Sequence, residues 1–427
     1  MRKIRGMMAA VLDDCVAKFP AIEDLYLPLR AQIVLAKYRW QREHSAAICQ
    51  EKGLVYSETD TIRLARKRLQ ERGYTPGRRR LGEVHTFAFI ARLGWHGHLY
   101  PDLYELGPTT EFDYVAMGFD NDRITKSGIV GQALRRDLNR LWYETLVEAH
   151  RRHPVDWIFV YASGNHILSD TVRRIQEELG VPLVIMCLDA KQSWEGAWLG
   201  EQRGLQVDLA PVFDLSWTSS RVTAEWYMAE GGRPLYLPEG CDAQFFHPLA
   251  VTQDVPVSFI GQRYGFRGSV IRYLVKKGVD VRTFGRGWNN AYLSQEQVVE
   301  VACRSIVNLG MGGIGPAEYL TNVKGRDFEI PCTGGGMYLT SFNPDLSLHF
   351  EVGREIVCYR SRDEMLELIR YYLLHPEEVK RIAEAGRRRC LREHRWLHRY
   401  IKVCQVLGVL DDSVAPTELV ERNLDSS

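Results

Sequence analysis

Short, mainly apolar runs alternate with stretches of helical spacing from about residue 81 onward. In the first half of this region the predicted strands are His85–Ile90, Tyr114–Met117, Trp157–Tyr161, Leu183–Leu188, Leu215–Thr218 and Leu235–Leu237. The clearest helix between them, Ile167–Leu179, stops at Gly180 with Pro182 just beyond. Strands that are apolar on both faces are typical of a parallel sheet covered by helices on both sides. The alternation therefore predicts an α/β chain with a doubly wound sheet.

The same alternation begins again after a predicted linker, Pro248 to Val255. Its predicted strands are Val257–Ile260, Val281–Phe284, Ser305–Leu309, Met337–Thr340 and Ile356–Tyr359. A chain of 427 residues is too long for one ordinary hydrophobic core, so two domains are expected. We predict a helical N-terminal extension at residues 1–80 and a first Rossmann-like domain at residues 81–248. A second Rossmann-like domain is expected at residues 249–395. Residues 396–427 should form a C-terminal helix and tail that packs back toward the first domain.

Charge and cysteine usage exclude several classes of protein. The net charge is only +1, so nothing in the overall charge points to nucleic acid as a partner. Nine cysteines without a CxxC pair indicate free thiols in the cytoplasm rather than disulfides or a zinc site. The N-terminus begins like a signal peptide but meets Asp13 and Asp14 too early, and no apolar run reaches transmembrane length. We predict a cytoplasmic protein without an integral membrane segment.

The stretch from Lys324 to Gly336 carries the strongest chemical signal, because two cations precede a carboxylate and a glycine cluster. Pro331 is tolerated only in the first turn of a helix, so a short helix is expected to start near Phe328–Ile330. Lys324 and Arg326 would then lie beside a positive helix end that suits a phosphate. Glu329 would lie one turn from Arg326 and suit the hydroxyls of a ribose. A surface ion pair between Arg326 and Glu329 is the alternative interpretation.

The stretch resembles the CgeB-like (spore maturation protein) glycosyltransferases, in which Lys-Gly-Arg-x-Phe-Glu precedes a glycine-rich turn and a strand. The resemblance to this family continues in Phe350–Val357. The helical segment Tyr371–Gly386 resembles the C-terminal helices of many GT-B glycosyltransferases, and Pro238–Pro248 resembles their interdomain segment. This resemblance implies the GT-B fold, in which two Rossmann-like domains face a cleft. It also implies a glycosyltransferase that moves a sugar from a nucleotide diphosphate sugar to an unidentified glycan, protein or small-molecule acceptor.

Loops after the strands of the second domain would then bind the donor, since ligands of open α/β sheets lie at the carboxyl ends of the strands. The candidate donor-binding residues are Gly261, Arg263, Arg286, Trp288, Lys324, Arg326, Glu329, Gly334 and Gly335. No cofactor is implied, and UDP-sugar is the favoured donor. A solvated loop arginine is the alternative for Arg263, and interdomain packing is the alternative for Trp288.

Catalysis would need no metal, because cations at the diphosphate stabilise the leaving group. Arg326 is the candidate for that role. Glu329 matches the second carboxylate of the E-x7-E pattern of retaining GT-B enzymes, whereas Thr321 occupies the first position, and nearby Glu318 is the possible substitute or a plain surface residue. The sequence leaves retaining and inverting chemistry open.

The first domain should supply the acceptor side. Asp189 and His85 adjoin predicted strands and are the candidates for the base that activates an acceptor hydroxyl, with helix capping as the alternative for Asp189. His96 and His98 also adjoin a predicted strand, but no acidic or cysteine partner stands at zinc-ligand spacing.

Other functional classes fit the sequence less well. Asp120-Asn121-Asp122 resembles the metal motif of single-domain GT-A enzymes, but we interpret it as a turn. A dehydrogenase is disfavoured because no G-x-G-x-x-G follows a strand with an acid about 20 residues on. A GT-B-fold nucleotide-sugar epimerase and a non-catalytic scaffold remain the competing hypotheses.

Overall fold

The computed structural model describes residues 20–289 and 292–414, and its residue contacts divide into two compact units. The first-sheet unit comprises Gln41–Pro238 together with the chain from Arg395 onward. The second-sheet unit comprises Glu239–His394 together with the chain up to Trp40. This division differs from the predicted bounds, because the helix α1 (Pro20–Glu51) runs without a break past Trp40 and the second unit starts ten residues before residue 249.

The first-sheet unit is a six-stranded parallel sheet with the strand order β2-β1-β3-β4-β7-β8. Its strands are β1 (Thr86–Ile90), β2 (Thr109–Phe112), β3 (Trp157–Tyr161), β4 (Leu183–Cys187), β7 (Leu215–Thr218) and β8 (Pro234–Tyr236), and a small hairpin adds β5 (Glu195–Trp198) and β6 (Arg203–Leu205). Its helices are α2 (Glu58–Glu71), α3 (Tyr100–Leu106), α4 (Asn121–Ile124), α5 (Ile129–Arg152), α6 (Ser169–Leu179), α7 (Arg221–Ala229) and the C-terminal α13 (Trp396–Leu407). A 3-10 turn, Gly94–Leu99, precedes α3.

Alternate residues of β1 enter different cores, so this sheet is buried on both faces. Ala88 and Ile90 pack with Tyr400 and other residues of α13, whereas Phe87 and Phe89 pack with Trp142 of α5. The helix α13 thus completes one face of the sheet.

An ion triad fixes the start of α13. Arg395 contacts both Asp102 (2.5 Å) and Glu105 of α3, and the amide of Leu397 donates to Asp102 at 2.8 Å. Asp102 is buried, and desolvation raises the pKa of its carboxyl to about 6 although Arg395 lowers it. The triad is an anchor for the C-terminal helix.

The second-sheet unit is a five-stranded parallel sheet with the strand order β10-β9-β11-β14-β15. Its strands are β9 (Val255–Ile260), β10 (Val281–Phe284), β11 (Ser305–Leu309), β14 (Met337–Ser341) and β15 (Val357–Tyr359), and the hairpin of β12 (Gly313–Ile314) and β13 (Ala317–Thr321) follows β11. Its helices are α8 (Arg267–Lys276), α9 (Gln295–Arg304), α10 (Arg326–Thr333), α11 (Arg362–Leu373) and α12 (Pro376–Glu393), with a 3-10 turn at Leu346–Leu348. Met337 and Leu339 face one core and Tyr338 faces the other, so helices cover both sides here too.

Most predicted strands are present within two residues of their predicted bounds, and the α/β fold class is confirmed. The predicted strand Tyr114–Met117 is wrong. The carboxylate of Asp113 accepts from the amides of Val115 (3.0 Å) and Ala116 (3.2 Å), which folds this stretch into a turn after β2.

The cysteines of the described chain are all free thiols in buried positions. Five of them share one core of the second-sheet unit: Cys241, Cys303, Cys332, Cys358 and Cys390. The other three, Cys49, Cys187 and Cys404, are buried in the first-sheet unit. Burial raises the pKa of the Cys187 thiol to about 12.

Among the described residues, no helix has both the length and the apolar character that crossing a bilayer requires.

Candidate functional site

The strand order of the second sheet places a topological switch point between β9 and β11. From β9 the chain continues outward to β10, and it then returns to β11 on the other side of β9. Loops diverge at such a point and leave a crevice at the carboxyl ends of the strands. The crevice here is bordered by the loop that leads from β9 into α8 and by the loop that begins at Gly310.

Arg267 lies at this switch point, at the start of α8. Its guanidinium donates to the carbonyls of Gln262 (2.9 Å) and Met311 (3.3 Å), and so bridges the two loops. It also lies over the ring of Tyr264, 4.3 Å from the ring centre. Its Nε is buried without a hydrogen-bond partner, and it forms no ion pair among the described residues. Burial lowers the pKa of Arg267 below its usual value because the charged form is desolvated. A cation held in this way is suited to an anionic ligand.

The loop before α10 is held in place by Asp327. This buried carboxylate accepts from the amide of Lys324 (2.8 Å) and from the hydroxyls of Tyr338 (2.8 Å) and Thr340 (3.3 Å) of β14. Desolvation raises the pKa of Asp327 to about 6 in spite of these donors. Asp327 therefore ties the Lys324 loop to the central part of the sheet.

The helix α10 starts at Arg326, two residues before the predicted start, and Pro331 lies in its interior. The carbonyl of Gly325 accepts from the amides of Phe328 and Glu329, both at 2.9 Å, which fixes the first turn. In the described chain the amides of Gly325 and Arg326 have no hydrogen-bond partner. Open amides at a helix N-terminus are donors for an anion.

Glu329 and Arg326 form an ion pair at 2.6 Å, which is the alternative that the sequence left open. The side chain of Glu329 is only 8% exposed and that of Arg326 is 31% exposed, so the pair is not a solvated surface pair. A Cβ built on Gly325 would lie 3.5 Å from Glu329 and 2.8 Å from Glu239, so two buried carboxylates approach this glycine. Acceptors for ribose hydroxyls thus lie beside the open amides.

The other predicted donor-binding residues, in the loops after β9 and β10, mainly make contacts within the protein. Arg263 pairs with the buried Glu23 of α1 at 3.2 Å, which differs from the predicted diphosphate role. Trp288 donates from Nε1 to the carbonyl of Gly261 at 2.8 Å and packs edge-on against Phe259. A Cβ on Gly261 would lie 3.1 Å from the ring of Phe259, so a larger residue would require that ring to shift. Arg286 is exposed, and its backbone carbonyl accepts a hydrogen bond from the amide of Arg263 at 2.8 Å.

Gly334 and Gly335 do not lie at the switch point, which corrects their prediction as donor-binding residues. They follow the end of α10 and precede β14, and so lie at the amino end of that strand. Gly334 has a φ of 62°, and its hydrogen-bonded turn ends the helix. A Cβ on Gly335 would lie 2.3 Å from the Cα of Cys303. These two glycines serve helix termination and packing.

The first-sheet unit has its own switch point between β1 and β3. Asp189 follows the neighbouring strand β4, and its carboxylate accepts from Gln192 at 2.9 Å in a turn. His85 precedes β1 and lies at the amino end of the sheet. Its Nε2 contacts Thr110 at 2.9 Å, and its Nδ1 contacts two backbone carbonyls at 3.1 Å. The structure thus separates His85 from the edge where ligands of α/β sheets bind, and gives it a structural role instead.

His96 lies at the carboxyl edge of this sheet, in the turn after β1. Its Nδ1 donates to the carbonyl of Ala91 at 2.8 Å, and its ring packs edge-on against Tyr161 of β3. Burial lowers the pKa of His96, which favours the neutral ring. Because Nδ1 carries the proton, Nε2 is an acceptor, and it has no hydrogen-bond partner within the described ranges. His96 has the chemistry of a general base.

Two sequence alternatives have structural explanations. Glu318 forms a bidentate ion pair with Arg362, at 2.7 Å and 3.1 Å, so its carboxylate is already neutralised by a residue of the protein. Asp120 caps α4 by accepting from the amides of Asp122 and Arg123, as expected for a turn. Within residues 20–289 and 292–414, no three potential ligands are grouped to hold a metal ion.

Sequence reasoning missed Arg267 and Asp327 and considered His96 without selecting it. No acidic residue occurs between Asp254 and Asp280, but this holds equally for Arg263 and Arg272, which pair with the distant Glu23, so it does not distinguish Arg267. No signal in the sequence distinguishes Asp327 from Glu329 either, since both stand in the first turn of the same helix.

Residues 267–405, about one third of the chain, match the family described as Glycosyl transferase-like. None of the curated proteins shows a match with this chain.

Solved structures are similar to about three quarters of the chain at low sequence identity. The Anabaena Alr3699/HepE structure in complex with UDP and glucose is 10% identical, with a TM-score of 0.50, and the alignment covers 77% of this chain and 100% of that chain. The N-terminal domain of Candida albicans trehalose-6-phosphate phosphatase is 9% identical, with a TM-score of 0.50 over 78% of this chain and 97% of that chain. AviGT4, a glycosyltransferase of avilamycin A biosynthesis, is 13% identical, with a TM-score of 0.48 over 76% of this chain and 98% of that chain.

The two parallel sheets and the similarity to the Anabaena and Candida structures confirm the predicted GT-B fold. The family match covers α8 through most of α13 and includes Arg267, Lys324, Arg326, Asp327 and Glu329. The chain thus has the predicted GT-B fold, and its residues 267–405 match a glycosyl transferase-like family.

Proposed function

We propose that the protein transfers a glycosyl group from a nucleoside diphosphate sugar to an acceptor hydroxyl, and that the switch point between β9 and β11 binds the donor. The observation that carries this proposal is Arg267, a partly buried cation at that point that has no carboxylate partner among the described residues. The open amides of Gly325 and Arg326 and the side chain of Lys324 supply further donors for a diphosphate. Glu329 accepts from the ribose hydroxyls.

The chemistry of the departing group supports a reaction without a metal ion. Breaking the glycosidic bond leaves negative charge on the diphosphate, and fixed cations stabilise that charge where it develops. Arg267 supplies one such cation, and Arg326 a second, held in place by Glu329. On the acceptor side we assign the base to His96 rather than His85. Addition of EDTA is expected to leave turnover unchanged, and restoration of lost turnover by Mg²⁺ or Mn²⁺ would contradict this assignment.

Uracil is the base that we propose for the donor, since the Anabaena structure holds UDP and glucose in the same fold. The motif Lys324-Gly-Arg-Asp-Phe-Glu supports placement within the CgeB-like subgroup. The buried free thiols of the described chain are consistent with a cytoplasmic enzyme.

Calorimetric titration of the purified protein with UDP, GDP, dTDP, CDP and NAD tests the donor site. Saturable binding of one nucleoside diphosphate is expected, with UDP the tightest. The variants Arg267→Met and Glu329→Gln should each weaken binding. Arg381→Met is the matched control, since Arg381 is a 72% exposed residue of α12 with only a 3.7 Å surface ion pair.

Binding of none of the five nucleotides would contradict the proposed function and favour the scaffold hypothesis. Binding followed by conversion of the sugar nucleotide into its epimer, without transfer, would favour the epimerase. Transfer of a labelled sugar to an added acceptor distinguishes the glycosyltransferase from both.

A further inference from the structure

The helix α1 has two faces of opposite character in its first 21 residues. One face lies on the second-sheet unit, where the buried Glu23 pairs with Arg263 (3.2 Å) and Arg272 (2.5 Å). Leu27 and Leu35 of the same face line a groove of about 870 Å³ against α8. The helix is therefore attached to the unit by this side.

The opposite face is a stripe of exposed apolar side chains. They are Ile22 (51% exposed), Leu25 (73%), Leu29 (65%), Ile33 (61%) and Trp40 (57%). At 3.6 residues per turn these five positions fall within an arc of about 80°. Isolated exposed apolar residues are ordinary, but an aligned stripe of large side chains over five turns indicates a binding surface.

Between Leu25 and Trp40 the charges beside this apolar stripe are all positive, whereas Asp24 precedes this segment and Glu43 follows it. Lys37 and Arg39 are exposed and lie on either side of it. From Leu25 to Trp40 the sequence has three basic residues and no acidic one. A second copy of the helix would bring these like charges together, whereas an anionic lipid surface would complement them. Trp40 is also a residue type that prefers the interface between headgroups and acyl chains.

We propose that the apolar stripe of α1 docks the protein on the surface of an anionic membrane. The helix would lie parallel to the surface, with the five apolar side chains among the acyl chains and with Lys37 and Arg39 reaching phosphate groups. The occupant is the lipid surface itself, so the proposal does not depend on which sugar or nucleotide the enzyme uses.

Flotation of the full-length protein with vesicles tests the proposal. Vesicles of phosphatidylglycerol and phosphatidylcholine in equal amounts should bind the protein, and pure phosphatidylcholine vesicles should bind it much less. The triple variant Leu25→Ser/Leu29→Ser/Ile33→Ser should reduce binding to the mixed vesicles by about a thousandfold, because each buried leucine-sized side chain contributes roughly a tenfold gain. The variant Lys37→Glu/Arg39→Glu should reduce binding by about tenfold and weaken its salt dependence.

The matched control is Val55→Ser/Ile129→Ser/Val130→Ser, which removes three exposed apolar side chains elsewhere (83%, 87% and 56% exposed). It should leave vesicle binding unchanged. All the replaced residues are exposed, so the thermal unfolding of each variant should match that of the parent protein.

Three outcomes would overturn the proposal. The first is absence of binding to the mixed vesicles. The second is binding that the serine variant retains in full. The third is a parent protein that is dimeric in sedimentation, does not bind vesicles, and becomes monomeric in the serine variant, which would assign the stripe to a second copy of the chain. Nucleotide titration of the same serine variant separates this proposal from the donor site, because UDP affinity should be unchanged.

Discussion

Arg395 is a buried arginine and Arg267 is a partly buried one, and their partners differ in kind. Arg395 of the first-sheet unit meets two carboxylates, and its side chain is 7% exposed. Arg267 of the second-sheet unit meets carbonyls and two aromatic rings, and no carboxylate within the described residues. A buried charge without a counter-charge is costly, so it persists where a ligand supplies the missing charge. A buried arginine paired with carboxylates thus has a structural role, whereas one without a carboxylate partner is suited to bind an anionic ligand.

The largest expected effect is on stability at Arg395. The variant Arg395→Met leaves Asp102 and Glu105 without their cation, and it should lower the free energy of unfolding by about 3–5 kcal/mol. Urea denaturation followed by circular dichroism measures this change. Arg381→Met is the control and should change it by less than about 0.5 kcal/mol. A loss as small as that of the control would break the comparison, since Arg395 would then not be an anchor.

Arg267→Met should have the reverse pattern. Nucleoside diphosphate affinity should fall by about 1.5–3 kcal/mol, the usual contribution of a hydrogen bond to a charged group. The free energy of unfolding should fall by less than about 1.5 kcal/mol, because no carboxylate loses its partner. Titration calorimetry and urea denaturation of one preparation give both values. Equal affinity for the nucleotide, combined with a loss of stability like that of Arg395→Met, would contradict the binding role.

Asp327 is a buried carboxylate that holds the Lys324 loop without an arginine partner, in contrast to Asp102. The pH dependence of stability should therefore reveal its titration. Its folded-state pKa of about 6 lies above the ordinary value of 3.8, so its protonated form favours folding. This contribution is complete below about pH 4 and is lost as the pH rises through about 6. The variant Asp327→Asn should lack this loss. The difference in unfolding free energy between parent and variant should therefore change by about 2 kcal/mol between pH 4 and pH 7, and a difference that is constant with pH would contradict the assignment.

The smallest effect on stability is expected at the histidines of the first-sheet unit, where the same distinction applies. His85 has both ring nitrogens engaged at the amino edge, and His85→Gln should cost about 1 kcal/mol of stability while kcat is unchanged. His96 has an open Nε2, and His96→Gln should lower kcat by about a hundredfold or more with little change in donor affinity. The pH–rate profile of the parent enzyme should lose its acidic limb in that variant. A greater loss of kcat in His85→Gln than in His96→Gln would reverse the assignment.

The sequence predicted the fold well because both sheets are assembled from local patterns. Continuous apolar strands and glycine or proline stops are short-range signals, and Trp157–Tyr161 and Ser305–Leu309 have the predicted bounds. The turn at Asp113 was missed because a side chain there competes with strand pairing.

The site was less predictable because pairing across the chain decides which cations are available. Arg263 and Arg267 are four residues apart and were not distinguishable by type. Arg263 is neutralised by Glu23, which lies 240 residues away in the sequence. Gly334 and Gly335 belong to a glycine-rich motif, but the direction of α10 carries them to the amino end of β14.

The buried thiols provide a way to time the opening of each unit. A buried thiol reacts with a modifying reagent only after the surrounding structure opens. Five such reporters lie in the core of the second-sheet unit, and Cys49, Cys187 and Cys404 lie in the first-sheet unit. Mass spectrometry of the modified peptides would therefore follow local unfolding of the two units separately in one sample. If nucleotide binding slows modification only of the five cysteines of the second-sheet unit, the ligand stabilises that unit and not the other.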